Sequence, residues 1–479
     1  MNMKQLMRGL RVCAEVALIV SLAQAAPLCA QESDAEKLSR ALREIEALKA
    51  RLGEVESSLR RQVEASSATN PPAAVTTDQA LREEQLSKSG FVKWNELTVG
   101  KSSRFKIYGF LRLDAIYDDS RPSNTQVPSF IRSEDPTAPA AVRSEPNTDD
   151  FTIHPRLTRF GIDFQGPDVA LLGGASTLGK LEIDFYNLPS SESRNAPRMR
   201  HAYLKLGWDD VSLLAGQTSD VISPLYPIVN PDFVMWGAGN LGDRRPQLRA
   251  EYAPKVGPGK LIFQTAAGLT GANDAQDLDP ATAGGFRDGE TSGRPTVQAR
   301  AACAMPLWTK QNIELGVWGH RAWEKTDSPI GLKGRRHFNS DAIGLDLTVP
   351  IFQDKVWVKG EAWKGKDLDD VRGGILQGVN VTTGDEIRGE GGFVELGVRP
   401  IKWMSLHAGY STDNPRNGDL PTSGATVGRN LNEIYYLAWR GYFDPIEIGL
   451  DYLNWTTEYN GGFDKGQDNR FQAFVSYKF

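Results

Sequence analysis

The chain has 479 residues, 24% of them charged, and a formal net charge of −5. Length alone would suggest two or three domains. No stretch beyond residue 30 holds the roughly 18 consecutive apolar residues of a membrane-spanning helix, which excludes a helical membrane protein. The sequence contains no basic domain or stripe, so we expect no nucleic-acid partner.

Residues 1–30 have the layout of a secretory signal peptide. A short basic segment precedes a mostly apolar one, residues 12–26, and small residues follow. We expect cleavage after Ala30, with Ala25 as the second choice. Cleavage after Ala30 removes three basic residues and one acidic residue, which leaves a net charge of −7. It also leaves Cys303 as the only cysteine, so an intrachain disulfide is not possible.

Residues 31–65 carry a heptad pattern that predicts a short α-helical coiled coil. Its apolar seam is about 25 residues long, near the lower limit for a helix that is stable alone in water, so self-association is expected. The segment from Arg51 to Glu56 matches a known trimer signature, although Gly53 weakens the helix there. The alternative is a single amphipathic helix docked on another surface. The residues predicted to form the trimer are Leu38, Ile45, Leu48, Arg51, Leu52, Val55, Glu56 and Leu59.

Residues 66–103 form a linker rich in Ala, Ser and Thr, and residues 104–479 then alternate between apolar and polar side chains. Many of the polar positions are charged, strand after strand. A barrel with lipid outside and water inside explains this pattern better than a soluble sandwich does. We therefore predict an all-β transmembrane barrel of about 16 antiparallel strands, preceded by the coiled coil. Fourteen or eighteen strands remain open.

The predicted strands are separated alternately by short turns and by long loops, as in outer-membrane barrels. Long loops are expected near residues 118–149, 270–294, 326–338, 365–388, 412–429 and 456–468. The predicted strands lie near residues 105–117, 151–164, 178–186, 199–208, 211–217, 247–253, 260–269, 296–306, 312–323, 341–350, 355–364, 391–399, 404–411, 431–440, 446–456 and 469–479.

The connection over residues 218–246 is unusually apolar for an exposed loop, and it is long and rich in Pro and Gly. Met235 and Trp236 would be poor choices on an open surface. We favour a loop that folds into the lumen and narrows it. The alternative is an external loop that packs on its neighbours or on a trimer partner.

Basic side chains that strand alternation places on the inner face are candidates for lining the channel. Salt-bridged walls are the simpler interpretation for any one of them, whereas a cationic strip facing an acidic strip would select solutes by charge. The candidates are Arg112, Arg159, His201, Lys205, Arg249, Arg300 and Lys359 on strands, with Arg244 and Arg245 at the base of the 218–246 loop.

The sequence offers no sign of an enzyme. It has no nucleophile elbow, phosphate loop or dinucleotide fingerprint, and its five histidines form no metal-ligand motif. We expect no catalytic residue, no cofactor and no metal. A barrel hydrolase with its active site on the rim is the least favoured alternative.

Short stretches of the chain resemble the DcaP-like outer-membrane porins. They are the heptad segment, Lys106–Asp114 (KIYGFLRLD), Pro155–Phe164 (PRLTRFGIDF) and the aromatic last strand that ends at Phe479. The resemblance extends to the layout of the mature chain. It implies a homotrimer of sixteen-stranded barrels with a periplasmic coiled coil, and passive uptake of small anionic solutes such as dicarboxylates.

We therefore expect a porin in the bacterial outer membrane, in contact with lipid and open to small hydrophilic solutes. The alternative is a structural envelope protein. In that case the barrel is an anchor, and the coiled coil binds peptidoglycan or a periplasmic partner.

Overall fold

The structure is a computed structural model that describes residues 96–99, 103–188, 191–229, 234–273, 275–279, 287–352, 355–422 and 427–479. The predicted signal peptide, coiled coil and most of the linker lie outside these residues. No helix among the described residues is long and apolar enough to cross a membrane.

The described residues form one large antiparallel sheet and a small two-stranded one, β15–β16. The strands are β1 (Glu96–Val99), β2 (Ser103–Asp118), β3 (Asp150–His154), β4 (Arg159–Gln165), β5 (Ser176–Leu188), β6 (Ser191–Gly207), β7 (Val211–Ser219), β8 (Arg244–Tyr252), β9 (Lys255–Val256), β10 (Gly259–Gly268), β11 (Thr296–Pro306), β12 (Asn312–Ile330), β13 (Arg335–Phe352), β14 (Val356–Lys366), β15 (Val379–Asn380), β16 (Asp385–Glu386), β17 (Arg388–Ile401), β18 (Met404–Pro415), β19 (Arg429–Phe443), β20 (Ile446–Tyr459) and β21 (Gly466–Lys478).

Helical structure among the described residues is confined to single turns. The α-helix α1 covers Asp288–Thr291, and 3₁₀ turns cover Ala170–Leu172, Asp369–Val371, Gly374–Leu376 and Asn417–Asp419. Three of these five turns lie in the connections that follow β10 and β14, close to features described below.

The large sheet closes into a barrel because its last strand pairs with its second. β21 pairs antiparallel with β2 from Tyr117↔Phe471 to Phe110↔Lys478. The main chain of Phe479 then exchanges two hydrogen bonds with Gly109, with N···O distances of 3.2 and 3.1 Å. The expectation that the C-terminal strand closes the wall on the first barrel strand is confirmed.

Sixteen wall strands result, because two of them are interrupted. β3 and β4 both pair with β2 and form one wall strand, broken at residues 155–158 where Pro155 removes a ladder donor. β8 and β9 both pair with β10 and form another. The remaining fourteen are continuous, and β1 is a short addition beside β2. The predicted strand number is confirmed.

The connections differ between the two ends of the barrel, as the sequence indicated. Turns of two to ten residues join the strands at the end that carries Phe479. The opposite end, here the loop end, carries eight connections: L1 (119–149), L2 (189–190), L3 (220–243), L4 (269–295), L5 (331–334), L6 (367–387), L7 (416–428) and L8 (460–465).

The predicted long loop at 326–338 is wrong. β12 and β13 continue to Ile330 and Arg335, and only residues 331–334 connect them. This outer part of the hairpin is polar on both faces, with Asp327, Arg335 and Arg336 exposed or half-exposed. Alternation of polar and apolar residues therefore stops before the strands do.

The outer face of the barrel is apolar, whereas the inner face is polar. On β2 and β21 the side chains of Leu111, Leu113, Phe471 and Val475 point outward and are exposed. Their neighbours on the same strands, such as Asp114, are buried. This is the surface that lipid contact requires of a strand-built wall.

Candidate functional site

Loop L3 leaves the wall between its fifth and sixth strands, β7 and β8, and docks on the opposite side of the barrel. The side chain of Glu361 on β14 accepts a hydrogen bond from the Leu225 N–H at 2.7 Å. Glu395 on β17 accepts one from the Ile228 N–H, also at 2.7 Å. Because β14 to β20 are the eleventh to fifteenth wall strands, the loop crosses the lumen. This agrees with the interpretation that we favoured from the sequence.

Further hydrogen bonds fix the second half of L3 to the same wall. The indole Nε1 of Trp363 donates to the Gly239 carbonyl at 2.7 Å. The Asn432 amide donates to the Gly237 carbonyl at 2.6 Å and to the Ser129 carbonyl of L1 at 2.7 Å. L3 is thus held by side chains of the wall rather than by a strand ladder.

Two apolar clusters explain why L3 is unusually hydrophobic. Each packs loop residues against the inner face of the far wall, so the side chains of L3 replace water there. The first contains Ile131 of L1, Val229, Met235 and Ala238 of L3, and Ile434, Tyr436, Leu453 and Trp455 of β19 and β20. The second contains Ile222 and Leu241 of L3, Trp318, Ala342 and Trp363 of the wall, and Leu368 and Val371 of L6.

The wall from β4 to β6, on the side of the barrel from which L3 starts, carries a group of arginines. Their side chains are 18% (Arg159), 21% (Arg198) and 10% (Arg200) exposed. Arg159, Arg198 and Arg200 project from the inner faces of β4 and β6. Arg198 binds the Asp184 carboxylate through two nitrogens, at 2.7 and 2.8 Å. Arg200 bridges Glu182 at 2.9 Å and Asp184 at 2.6 Å. Three guanidinium groups therefore share two carboxylates, which leaves one positive charge in excess.

Arg159 is the member of this group with spare hydrogen-bonding capacity. Its nearest carboxylate oxygen, on Glu182, is 3.5 Å from Nη1. Its Nε has no acceptor among the described residues. The guanidinium groups of Arg200 and Arg244 are close enough to repel it.

A β-bulge on β6 concentrates the positive charge. Glu182 pairs with His201 and Ile183 with Met199, so Arg200 is an extra residue in the register. Arg200 and His201 consequently both lie on the inner side of the wall. His201 Nδ1 lies 3.0 Å from the Thr218 hydroxyl of β7. Bulges re-aim side chains in this way beside functional sites.

A second positive group sits where L3 and L6 meet. Asp243 at the end of L3 contacts Arg372 of L6 at 2.9 Å and Arg244 at 3.3 Å. Both guanidinium groups lie over the Trp236 ring, at 5.0 and 5.9 Å from its centre. Burial alone would raise the pKa of Asp243, but the two arginines outweigh it and lower that pKa. One positive charge is again in excess.

Several predicted lining residues belong to ion pairs of the wall. Arg112 binds Asp114 at 2.6 Å and lies over Phe474. Arg300 binds Asp346 at 2.5 Å and Glu314 at 2.7 Å. These side chains are on the inner face, as predicted, but almost fully buried.

Arg245 and Lys359 hold loops. Arg245 is 1% exposed and joins Asp220 of L3 to Asp370 of L6. Lys359 contacts Glu395 at 3.3 Å and the Tyr226 carbonyl of L3 at 2.5 Å. Both contact L3, so we regard them as positioning residues for this loop.

Two predicted residues remain available beside the arginine group. Arg249 on β8 bonds to Gln247 at 3.0 Å and to the Ser219 carbonyl, and makes no ion pair among the described residues. Lys205 on β6 makes none either within the described part of the chain, and is half-buried. With Arg159, Arg244 and His201, these are the predicted candidates that the structure brings together.

Arg198, Arg200, Arg372 and Tyr226 were missed by the sequence analysis. Counting alternation back from His201 puts Arg198 and Arg200 outside, because the bulge is invisible in the sequence. The charge density of Arg198-Met199-Arg200-His201 was the one available signal, since two neighbouring arginines are costly on a face that contacts lipid. Nothing in the sequence connects L6 to L3.

Comparison with solved structures identifies the fold. The outer-membrane channel DcaP of Acinetobacter baumannii superposes with a TM-score of 0.61 at 18% identity, covering 80% of this chain and 99% of that one. OmpF of Salmonella typhi superposes with a TM-score of 0.51 at 12% identity, covering 80% and 100%. No protein-family model and no curated protein sequence matches the chain. The resemblance to DcaP-like porins is thus confirmed at the level of the fold.

Proposed function

We propose that this protein is an outer-membrane porin, a water-filled channel for passive diffusion of small hydrophilic solutes that favours anions, dicarboxylates among them. The single observation that carries the proposal is the distribution of charge around L3. The loop docks on the far wall, and the wall from β4 to β6 carries three arginines for two carboxylates. A solute passing between them meets excess positive charge.

Location in the outer membrane follows from the wall itself. Closed β-barrels and helices are the structures that can span lipid, because their backbone groups are all paired. The exposed outer face carries Leu, Val, Phe and Tyr side chains on successive strands. The loop end would face the medium and the turn end the periplasm.

We further propose a homotrimer whose N-terminal segment, residues 31–65, forms a periplasmic coiled coil. The support is the heptad sequence alone, with Arg51 and Glu56 placed to pair between neighbouring helices. The signal peptide over residues 1–30 would deliver the chain to the periplasm.

The competing proposal is a structural envelope protein that links the outer membrane to peptidoglycan through the same helix. Its support is also the heptad segment. An anchor does not need positive charge in excess of its carboxylate partners, because a buried charge without a partner is destabilising. We therefore favour the channel.

Liposome swelling separates the two proposals. Full-length protein in liposomes should admit succinate faster than a neutral sugar or a diamine of similar size. Arg200→Gln should reduce this preference, whereas Arg321→Gln, on the outer face, should not. No swelling with any solute would exclude a channel, and equal rates for all charges would exclude anion preference.

A further inference from the structure

Three buried carboxylates from two segments of the chain, β12 and the start of L6, lie close together. Glu324 projects from the inner face of β12, and Asp367 and Asp369 belong to the first turn of L6. One carboxylate oxygen of each lies within 4.8 Å of the others. All three side chains are buried, and Asp367 is 0% exposed. The Asp369 carbonyl accepts a hydrogen bond from the Arg372 N–H at 3.1 Å, but no ion pair among the described residues joins the three carboxylates to the arginine groups described above.

No positive charge compensates this cluster among the described residues. The neighbouring acids have partners: Asp370 binds Arg245 at 3.3 Å, and Glu386 binds Arg335 at 2.6 Å. No ion pair of the described residues includes Glu324, Asp367 or Asp369. The adjoining parts of L4 that the structure does not describe, residue 274 and residues 280–286, contain no Lys or Arg. The charge of the cluster therefore needs another source of compensation.

The carboxylate of Asp367 is the least compensated of the three. Neither of its carboxylate oxygens receives a hydrogen bond from a described donor. Burial without a compensating positive charge strongly destabilises an ionised carboxylate. Either a proton shared with Glu324 or a cation bound between the groups would remove that cost.

We propose that Glu324, Asp367 and Asp369 bind a hard divalent cation, Ca²⁺ or Mg²⁺. Ca²⁺ takes oxygen ligands at about 2.3–2.6 Å, so two ligand oxygens on one ion lie at most about 5 Å apart. The separation of 4.8 Å or less fits this limit. The donor set contains only carboxylate oxygens, which hard cations prefer and which zinc or copper sites rarely use alone.

The cation would tie loops to the wall at the loop end of the barrel. Asp369 already accepts a hydrogen bond from the Gln276 N–H of L4 at 2.9 Å. The Gln276 side chain in turn receives the N–H groups of Gly378 and Val379 of L6, at 2.7 and 2.8 Å. A bound ion would join this L4–L6 contact to Glu324 on β12. The inference does not depend on what the channel conducts.

The lack of a side chain at Gly378 lets the carboxylates of Asp367 and Asp369 lie close together. A Cβ on this residue would lie 2.0 Å from Asp369 Oδ1 and 2.4 Å from Asp367 Oδ1. Both oxygens therefore crowd the same side of the Gly378 backbone. Without a cation, two ionised carboxylates in this position would repel each other.

The metal content of the purified protein tests the proposal. Full-length protein is stripped with EDTA, dialysed against millimolar CaCl₂ or MgCl₂, freed of excess metal and analysed by mass spectrometry of the metal. We expect one equivalent of metal per protomer after dialysis against CaCl₂, MgCl₂ or both, and the salt that gives this value identifies the ion. The double substitution Asp367→Asn/Asp369→Asn should abolish metal binding. The control Asp385→Asn, also in L6 but exposed and paired with Lys333 at 2.5 Å, should not.

Tryptic cleavage at Arg372 in L6 provides a second readout that needs no variant. We expect cleavage of the wild-type protein to be slower in the presence of Ca²⁺ or Mg²⁺ than in the presence of EDTA. This comparison tests metal binding even if the double variant does not fold. The proposal is overturned if the wild type retains no more metal than the double variant and cleavage is unaffected by metal. Greater heat resistance of the double variant under those conditions would assign the shared proton instead.

Discussion

Gly239 of L3 lies so close to Gly392 of β17 that a Cβ on Gly239 would be 2.4 Å from the Gly392 carbonyl oxygen. The backbone of Gly239 also has a φ of +121°, which side-chain-bearing residues rarely adopt. This contact seats the middle of L3 on the wall opposite its origin. The narrowing of the lumen depends on such contacts.

Gly239→Ala should loosen L3. The added methyl group clashes with a backbone atom, which cannot yield, so the loop must lift from β17 at a cost of about 1–3 kcal/mol. We expect a lower temperature of heat-induced unfolding and a larger single-channel conductance. Gly418→Ala is the control, because nothing lies within 4 Å of its Cβ position. Unchanged conductance in the Gly239 variant would mean that L3 does not define the narrow part.

Asn432→Ala should weaken the same docking from the wall side. Its amide bonds to the carbonyls of Gly237 and Ser129, and it accepts from the Thr457 hydroxyl at 2.6 Å. Buried groups left without partners cost about 1–3 kcal/mol. Heat-modifiable mobility on gels would measure the loss, with the exposed Asn460→Ala as control. Equal stability of the two variants would contradict the role of Asn432.

The strand number and the loop that enters the lumen could be predicted from the sequence, but the contacts inside the lumen could not. Apolar and polar residues alternate along β2 and β21 because successive side chains of a strand point to opposite faces of the wall, one toward lipid and one toward the lumen. This pattern is local and can be read from the sequence. The bulge at Arg200 and the contact between Arg372 and Asp243 depend on strands and loops far apart in the chain. The acids Glu324 and Asp367, 43 positions apart, likewise form no motif.

Removal of Phe479 should weaken barrel closure. The deletion loses both main-chain hydrogen bonds to Gly109 and the contact between the Phe479 and Phe160 rings, whose centres are 6.0 Å apart. We expect a loss of about 1–3 kcal/mol, seen as unfolding at lower temperature. Phe479→Ala retains the main-chain bonds and should lose less. Equal stability of the deletion and the wild type would contradict this closure.

The heptad segment should determine the oligomeric state. Deletion of residues 31–65 should shift chemically cross-linked protein in detergent from trimer toward monomer, because the deletion removes the apolar seam. Arg51→Gln/Glu56→Gln should weaken the trimer less, since it removes only the pairs beside the seam. A full yield of trimer from the deletion would show that the barrels associate without the helix.

The reversal potential of the full-length protein in a planar bilayer, under a tenfold KCl gradient, tests the central claim most directly. We expect the sign of the reversal potential to show that Cl⁻ permeates more readily than K⁺. In Arg200→Gln the anion-to-cation permeability ratio should fall about tenfold, since a unit charge ~6 Å from the ion path lowers the energy of an anion and raises that of a cation by roughly 0.7 kcal/mol each in water. Arg321→Gln should leave the ratio unchanged. A cation-selective sign in the wild type, or a ratio that Arg200→Gln does not alter, would contradict the assignment of the arginine group as the selective wall.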